Sequence, residues 1–325
     1  MTCTHRLAAM AVALVLAGSS GVAQDLFRSS VDLVSVNVSV KKGNERIPGL
    51  HAQDFALTDN GVAQQIQSVA IEDVPLDVSL VLDLSGSMYG AADRLRTEAS
   101  LVATSLRPVD RMRVLTMGET VRQAANWMQG GVAMPPLTAP SVQGISLVYD
   151  TLFSALLHRA QSSRRHVVIA FTDGEDCGSL VHPDALRSLA KRIEATVYWL
   201  PAGQSYFNLR WQPNPNDRSG LFPVVPSNNF EGVQAACHLS RGTDPTVLQD
   251  PVDATGGEVY ERKDQKSATR AIQEVIQYYR QSYVITYAAT GVARAGWHAL
   301  SVRVVTPEYV VRARSGYFVR SCPLR

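Results

Sequence analysis

Hydrophobic and polar residues alternate along the early part of the chain. Residues 31–40 alternate almost without interruption, a pattern typical of a strand that buries one face. Shorter strands are predicted at 54–58 and 66–71, with a turn at Asp59-Asn60-Gly61 between them. We therefore expect residues 24–75 to form a small, all-β segment.

The pattern changes at Leu76, where short apolar strands begin to alternate with helices. This alternation predicts an α/β domain over residues 76–281, with a doubly wound, mostly parallel, Rossmann-like sheet covered by helices on both faces. The predicted strands lie at 78–82, 111–117, 122–127, 166–171, 196–200 and 257–261, and the predicted helices at 91–106, at 147–160, from Pro183 and at 268–280.

The α/β pattern is interrupted between about residue 201 and residue 251. This segment is rich in proline and asparagine and carries several aromatic residues. A long loop inside a compact domain is usually functional or mobile. Two interpretations stay open, a recognition role and a surface insertion without one.

The end of the chain returns to a β pattern. Strands are predicted at 283–287, 298–305 and 309–314. The two β segments, 24–75 and 282–325, are each too small for a good core of their own. We expect them to pair into one small β domain beside the α/β domain.

The first residues resemble an export signal. A weakly basic start at His5-Arg6 precedes an apolar core, Leu7–Ala17, that is too short to span a bilayer comfortably. Small residues end at Ala23, so residues 1–23 are predicted to be removed and the mature chain to begin at Gln24. An uncleaved anchor helix is the alternative. No other stretch is long and apolar enough to cross a membrane, so we expect a protein of the periplasm, the cell surface or the medium.

The charges of the chain are nearly balanced. Lysine and arginine number 31, aspartate and glutamate 29, for a formal net charge of +2. This balance gives no reason to expect nucleic acid or an anionic membrane surface as a partner.

Polar residues follow the apolar run 78–82 at the point where it ends. Asp83, Ser85 and Ser87 alternate along the loop with Gly86 among them. Ligands of open α/β sheets bind at the carboxyl ends of strands, and these oxygens can converge on one small, hard cation. The alternative is a polar turn that caps the next helix.

Two later loops carry further oxygen ligands to the same predicted edge. Asp173 follows the buried run 166–171, and Ser146 stands where a helix is predicted to begin. An all-oxygen set with two carboxylates suits Mg²⁺ best, with Mn²⁺ and Ca²⁺ as alternatives.

These three elements resemble the metal-ion-dependent adhesion site (MIDAS) of the von Willebrand factor type A domain. Asp83-Leu84-Ser85-Gly86-Ser87 matches the Asp-x-Ser-x-Ser element, Gly144-Ile145-Ser146 matches the threonine loop with serine in place of threonine, and Thr172-Asp173-Gly174 matches the third element. The resemblance implies that Ser85, Ser87 and Ser146 ligate the ion through their hydroxyls, while Asp83 and Asp173 act directly or through water.

The resemblance extends to a group of exported bacterial type A-related proteins and covers nearly the whole mature chain except the insertion. The flanking signatures that carry it are Gly49-Leu50, Asp54-Phe55 and Asp59-Asn60-Gly61 before the α/β domain, and Thr255-Gly256-Gly257, Tyr283–Tyr287 and Arg312–Tyr317 behind it.

Three cysteines stay in the mature chain: Cys177, Cys237 and Cys322. Export permits disulfides, and the odd number leaves one thiol over unless it pairs between chains. A Cys177–Cys237 bond would tether the insertion beside the predicted metal edge. The alternatives are a free Cys177, with Cys237 bonded to Cys322 or to nothing.

The pattern favours a binding module over an enzyme. The ion is expected to keep an open position that an Asp or Glu of a partner protein completes. Ser85 stands where an aspartyl phosphotransferase would need a second carboxylate, no Gly-x-Ser-x-Gly motif occurs, and no histidine is tied by spacing to a nucleophile. The remaining alternative is an architectural envelope protein with a purely structural or degenerate metal site.

Overall fold

The computed structural model describes residues 33–43, 45–85, 88, 91–118, 120–135, 146–161, 163–202, 246–260 and 265–320. The predicted signal segment, Ser87 and most of the predicted insertion lie outside these residues, so the predictions made for them are not tested by the structure.

Strands dominate both ends of the described chain, and strands and helices alternate between them. The strands are β1 (Leu33–Lys42), β2 (Glu45–Arg46), β3 (Phe55–Asp59), β4 (Val62–Gln64), β5 (Ile66–Ile71), β6 (Leu76–Asp83), β7 (Arg111–Met117), β8 (Arg122–Gln129), β9 (Arg165–Thr172), β10 (Ala195–Pro201), β11 (Tyr283–Ala288), β12 (Gly296–Val304), β13 (Val310–Ala313) and β14 (Gly316–Val319). The helices are α1 (Ala92–Ser105), α2 (Val148–Leu156), α3 (Pro183–Arg192), α4 (Thr246–Thr255) and α5 (Gln265–Arg280).

The central sheet has the strand order β10-β9-β6-β7-β8. Strands β10, β9, β6 and β7 are parallel, and β8 joins β7 antiparallel at the edge. Every residue of β6 is buried, as expected for a nearly continuous apolar run in the middle of a parallel sheet. The prediction of a mostly parallel sheet is confirmed.

Side chains that alternate along β6 enter two separate cores. Leu80 and Leu82 pack into a core that also contains apolar residues of α1 and α5. Val81 packs into another core, formed with residues of α2, α3 and α4. Alternate residues of a strand point to opposite faces, so helices contribute to the packing of β6 on both sides.

Strands from the two ends of the chain pair with each other. In one sheet β1 pairs antiparallel with β11 and β13, with Val36 opposite Ile285, while β5 pairs with the other side of β11. In a second sheet, of order β14-β12-β3-β4, the contact between the ends is the antiparallel pair β12–β3. The predicted pairing of the two terminal β segments is confirmed.

A buried carboxylate joins these two sheets. Asp59, at the end of β3, accepts hydrogen bonds from the hydroxyls of Tyr287 and Tyr317, both at 2.8 Å. His298 Nδ1 lies 2.9 Å from its other oxygen. One acidic side chain therefore connects β3, β11, β12 and β14, and it needs these partners because an unpaired buried carboxylate is costly.

Two sequence predictions within the α/β region are wrong. Residues 257–260 form no strand, since Val259 makes only an isolated parallel bridge with Trp199 of β10; residue 261 lies outside the described residues. The predicted insertion extends to about residue 251, yet α4 begins at Thr246 and contains Pro251. Burial of Leu248 and Val252 in the core beside α3 stabilises this helix despite its proline.

Other boundaries differ by a few residues. The predicted helix at 147–160 already ends at Leu156. Strands β2, β4 and β14 were not predicted. Among the described residues, none of the helices has the length and apolar character needed to cross a membrane.

Candidate metal site at the carboxyl edge of the central sheet

Asp83 is the last residue of β6 and is fully buried. The next amide, of Leu84, donates to the carbonyl oxygen of Met117 at the end of β7, at 2.9 Å. This backbone hydrogen bond extends the pairing of β6 with β7 one residue beyond Asp83 and so fixes the position of Asp83 at the edge of the sheet.

Ser85 closes a tight loop against this carboxylate. Its amide and its hydroxyl both donate to Asp83 Oδ1, at 2.9 and 2.6 Å. A serine hydroxyl has one proton and two lone pairs. Ser85 gives this proton to Asp83, and a hydroxyl ligates a cation through its lone pairs.

Thr172, the last residue of β9, holds the other oxygen of Asp83. Its hydroxyl donates to Asp83 Oδ2 at 2.6 Å and accepts from the Gly174 amide at 3.1 Å. Its carbonyl oxygen accepts from the Trp199 indole at 3.0 Å. These contacts fix the position at which the chain enters the Asp173 loop.

Gly174 is required in this loop for two reasons. Its φ is +88°, a conformation that L side chains rarely adopt, and an added Cβ would lie 2.7 Å from the Trp199 ring. The backbone therefore folds tightly just after Asp173, whose carboxylate accepts from the Glu175 amide at 3.0 Å.

Ser146 lies just before α2 and is almost completely buried. Its carbonyl oxygen accepts from the amides of Cys177 and Gly178, at 2.9 and 3.2 Å. Further along the same loop, Asp176 accepts from the Tyr149 amide in the first turn of α2, at 3.1 Å. The segment that carries Ser146 is thus attached to the loop that follows Asp173.

The electrostatics of the site suit a cation. Burial raises the pKa of Asp83, the nearby charge of Glu175 raises it further, and the hydrogen bonds from Ser85 and Thr172 oppose this. Within the described ranges, no lysine, arginine or histidine forms an ion pair with Asp83. A buried carboxylate without a charged partner is unfavourable unless it is neutralised or paired with a cation.

The structure brings some of the predicted ligands together directly. Asp83 and Ser85 are in contact, and Asp173 follows a residue that contacts Asp83. Ser146 is connected to the Asp173 loop through its backbone. Ser87 lies outside the described residues.

Thr172 is the contact that the sequence interpretation missed. The sequence shows that Thr172 directly precedes Asp173, which could have indicated a role in the site. A β-branched residue is common in strands, however, so this position alone does not single it out. The structure gives it a role that the sequence does not: it orients the carboxylate of Asp83.

The donor set fits a hard divalent ion. Carboxylate and hydroxyl oxygens are the ligands that Mg²⁺ and Mn²⁺ prefer. In the described part of the chain, no group of three or more His, Cys, Asp or Glu side chains is arranged to hold a metal. Any ion at this edge would therefore depend on serine hydroxyls as well as on Asp83 and Asp173.

Cys177, on the same loop, is disulfide-bonded. The alternative in which Cys177 is a free thiol is therefore wrong. Cys237, the partner favoured by the tether hypothesis, lies outside the described residues, as does Cys322.

Comparison with known proteins gives structural matches only. None of the protein-family models matches the chain, and no curated protein matches it. Among solved structures, the conserved hypothetical protein BatB from Bacteroides thetaiotaomicron is 16% identical with a TM-score of 0.43, over 63% of this chain and 98% of that one.

Two further solved structures carry the name of the von Willebrand factor type A domain or of its MIDAS motif. A von Willebrand factor type A protein from Catenulispora acidiphila is 14% identical, with a TM-score of 0.47, over 84% of this chain and 64% of that one. Proximal thread matrix protein 1 from the mussel byssus, with a zinc-occupied MIDAS motif, is 16% identical, with a TM-score of 0.34, over 41% and 37%. The chain is thus similar to solved structures of von Willebrand factor type A domain proteins.

Proposed function

We propose that this chain is an exported, metal-dependent protein-binding module of the von Willebrand factor type A kind. Its α/β domain is the doubly wound, Rossmann-like domain, and packing of β6 against helices on both sides supports this. The site at the carboxyl edge of the sheet holds one divalent cation, Mg²⁺ or a similar ion.

The observation that carries this proposal is the buried carboxyl group of Asp83, which has no cationic partner among the described residues. Asp83 is fully buried, and its hydrogen-bond partners in the described chain are uncharged donors, Ser85 and Thr172. A divalent cation beside it would supply the missing positive charge.

In this proposal, each residue of the site has the role that the family resemblance implies. Ser85, Ser87 and Ser146 provide hydroxyl ligands, while Asp83 and Asp173 contribute directly or through water. With few charged ligands, a bound ion stays electrophilic toward an incoming carboxylate. An Asp or Glu side chain of a partner protein would therefore bind at the open position.

Catalysis is not part of this proposal. Ser79 and His166 form a hydrogen bond of 2.9 Å, which is the geometry of a nucleophile and a base. Both side chains are buried inside the sheet, far below the exposure that a substrate needs. We interpret this pair as a structural contact.

An architectural role with a degenerate site is the second candidate. The observation in its favour is that both oxygens of Asp83 already accept short hydrogen bonds from neighbouring residues. Such a carboxylate is partly satisfied without any ion. Metal binding separates the proposal from an architectural role with a degenerate site, whereas a purely structural ion would be distinguished by partner binding that does not depend on Asp83.

Calorimetric titration with Mg²⁺, Mn²⁺, Ca²⁺ and Zn²⁺ tests the proposal. The wild type should bind one equivalent of at least one ion, and Asp83→Asn should weaken this binding by about tenfold or more. Glu308→Ala is the matched control, because Glu308 is an exposed acid in the turn between β12 and β13. Folded wild type without saturable binding would favour the architectural role.

A further inference from the structure

A polar cavity lies between the terminal β sheets and the central sheet, at the opposite end of β9 from Asp173. Its volume is about 380 Å³, and its walls come from β1, the starts of β9 and β10, the end of α5 and β13. This size is in the range of cavities that bind small molecules.

The alternation along β1 explains why the cavity wall is polar. Val36, Val38 and Val40 are buried in the apolar core between the terminal sheets. Ser35, Asn37 and Ser39, between and beside them, line the cavity, which Leu33 and Val38 also border. One strand thus supplies a core on one face and hydrogen-bonding groups on the other.

Arg165 places a positive charge in the wall, where its contacts are long and include the Tyr279 ring, whose centroid is 5.9 Å from the guanidinium carbon. Only 10% of its side chain is exposed, and its nearest acceptor, a Glu72 carboxylate oxygen, is 3.3 Å away. Its other acceptors, the Tyr279 carbonyl and the Ser282 hydroxyl, are at 3.4 and 3.5 Å. Hydrogen bonds to a guanidinium are normally shorter, about 2.7 to 2.9 Å with a carboxylate.

Arg314 adds a second, half-buried cation. It donates to backbone carbonyls, including those of Lys191 and Ile193 at the end of α3, at 3.2 and 3.3 Å. The charge of Glu194 acts on it and favours its charged form. Burial lowers the pKa of Arg314, which reflects the cost of keeping this charge away from water.

The acidic groups of the cavity lie at its exposed rim. Glu72 is 55% exposed, and Glu194 is also exposed. Deeper in the wall are hydroxyls, among which Thr196 Oγ1 and the Tyr279 hydroxyl are 3.3 Å apart. The interior therefore combines guanidinium groups with hydroxyl donors.

We propose that this cavity binds a small solute through one oxyanion group, a phosphate or a carboxylate, held by Arg165 with help from Arg314. A guanidinium forms two parallel hydrogen bonds with either group, and the neighbouring hydroxyls can donate to further oxygens. This site is separate from the metal site, and it involves none of the residues assigned there.

Titration calorimetry with inorganic phosphate and with acetate tests this proposal on the full chain. The buffer contains no divalent cations and no chelator, since chelators carry carboxylates, and its ionic strength is held constant with sodium chloride. We expect saturable binding of one equivalent of one of the two anions, and the better anion identifies the ligand class. Binding should be at least about tenfold weaker in Arg165→Gln.

Two further variants serve as a charge control and as a second test of the cavity wall. Arg122→Gln removes the same charge from an exposed position on β8 and should bind like the wild type. Thr196→Val, which is close to isosteric, removes a hydroxyl from the wall and should also weaken binding. It provides the test if Arg165→Gln fails to fold. Absence of saturable binding of both anions by the wild type, or unchanged affinity in folded Arg165→Gln, would overturn the proposal.

Discussion

The Thr172 hydroxyl donates to Asp83 Oδ2 at 2.6 Å and so connects the last residues of two neighbouring parallel strands. This contact, together with the Ser85 hydrogen bonds to Oδ1, fixes both oxygens of the carboxylate. The candidate site therefore has an oriented carboxylate at its centre.

Replacing Thr172 by valine should test this orientation. The variant keeps the shape of the side chain but leaves Asp83 Oδ2 and the Gly174 amide without their partner. We expect the free energy of unfolding to fall by about 1 to 3 kcal/mol, measured by urea denaturation. Thr97→Val, at an exposed position on α1, is the control and should cost much less. Equal losses in the two variants would mean that the Thr172 contact does not stabilise the site.

Gly174→Ala should lower the free energy of unfolding, and a comparison with Gly61→Ala separates the two causes of this loss. Gly61 has a similar φ of +80° but open space around its missing side chain, whereas a Cβ at Gly174 would lie 2.7 Å from Trp199. Gly61→Ala should lose about 1 to 2 kcal/mol from the positive φ alone. Gly174→Ala should lose about 1 to 3 kcal/mol more because of overpacking, and should weaken metal binding. A similar loss of stability in both variants would contradict the close approach of this loop to Trp199.

The sequence predicts the carboxyl edge well because it depends on simple patterns. The apolar runs that become β6 and β9 end directly at Asp83 and Thr172, and parallel strands bring their ends to one edge. The role of Thr172 could not be predicted, since its hydrogen bond crosses between strands far apart in the chain.

The helix α4 shows a different limit of sequence interpretation. The richness of the segment in proline and asparagine predicts an insertion up to about residue 251, and a proline such as Pro251 is unfavourable inside a helix. Leu248 and Val252 on either side are nearly fully buried, and this tertiary packing outweighs local propensity. Such burial depends on the position of α3 and β10, which local patterns do not specify.

His166 should make stability depend on pH. Burial is the main cause that lowers its pKa to about 3, with help from the charges of His158 and Arg113 and against that of Asp77. The unfolded chain takes up a proton near pH 6.5, while the folded chain does not, so the folded state loses stability as the pH falls below that value. Between pH 7 and pH 5 this loss should be about 2 kcal/mol.

Denaturation of His166→Gln at the two pH values isolates this contribution. The variant should lose about 2 kcal/mol less than the wild type over the same interval, since its side chain does not titrate. His51→Gln, at an exposed position, is the control and should behave like the wild type. A wild type and a His166→Gln variant with the same pH dependence would show that His166 is not held neutral.

The disulfide of Cys177 gives a prediction about the insertion. Peptide mapping of the non-reduced protein by mass spectrometry should find Cys177 linked to Cys237, which would tether the insertion beside the loop that carries Asp173. A peptide that links Cys177 to Cys322 would contradict this tether and would connect the loop to the end of the chain instead.

Anomalous diffraction from crystals grown with Mn²⁺ tests the metal site most directly. We expect one strong peak at the carboxyl edge of the central sheet, about 2.0 to 2.4 Å from the hydroxyl oxygens of Ser85, Ser87 and Ser146. This peak should be absent from crystals of Asp83→Asn. Well-ordered wild-type crystals without a peak beside Asp83, at saturating Mn²⁺, would contradict the account and leave a carboxylate that serves the fold alone.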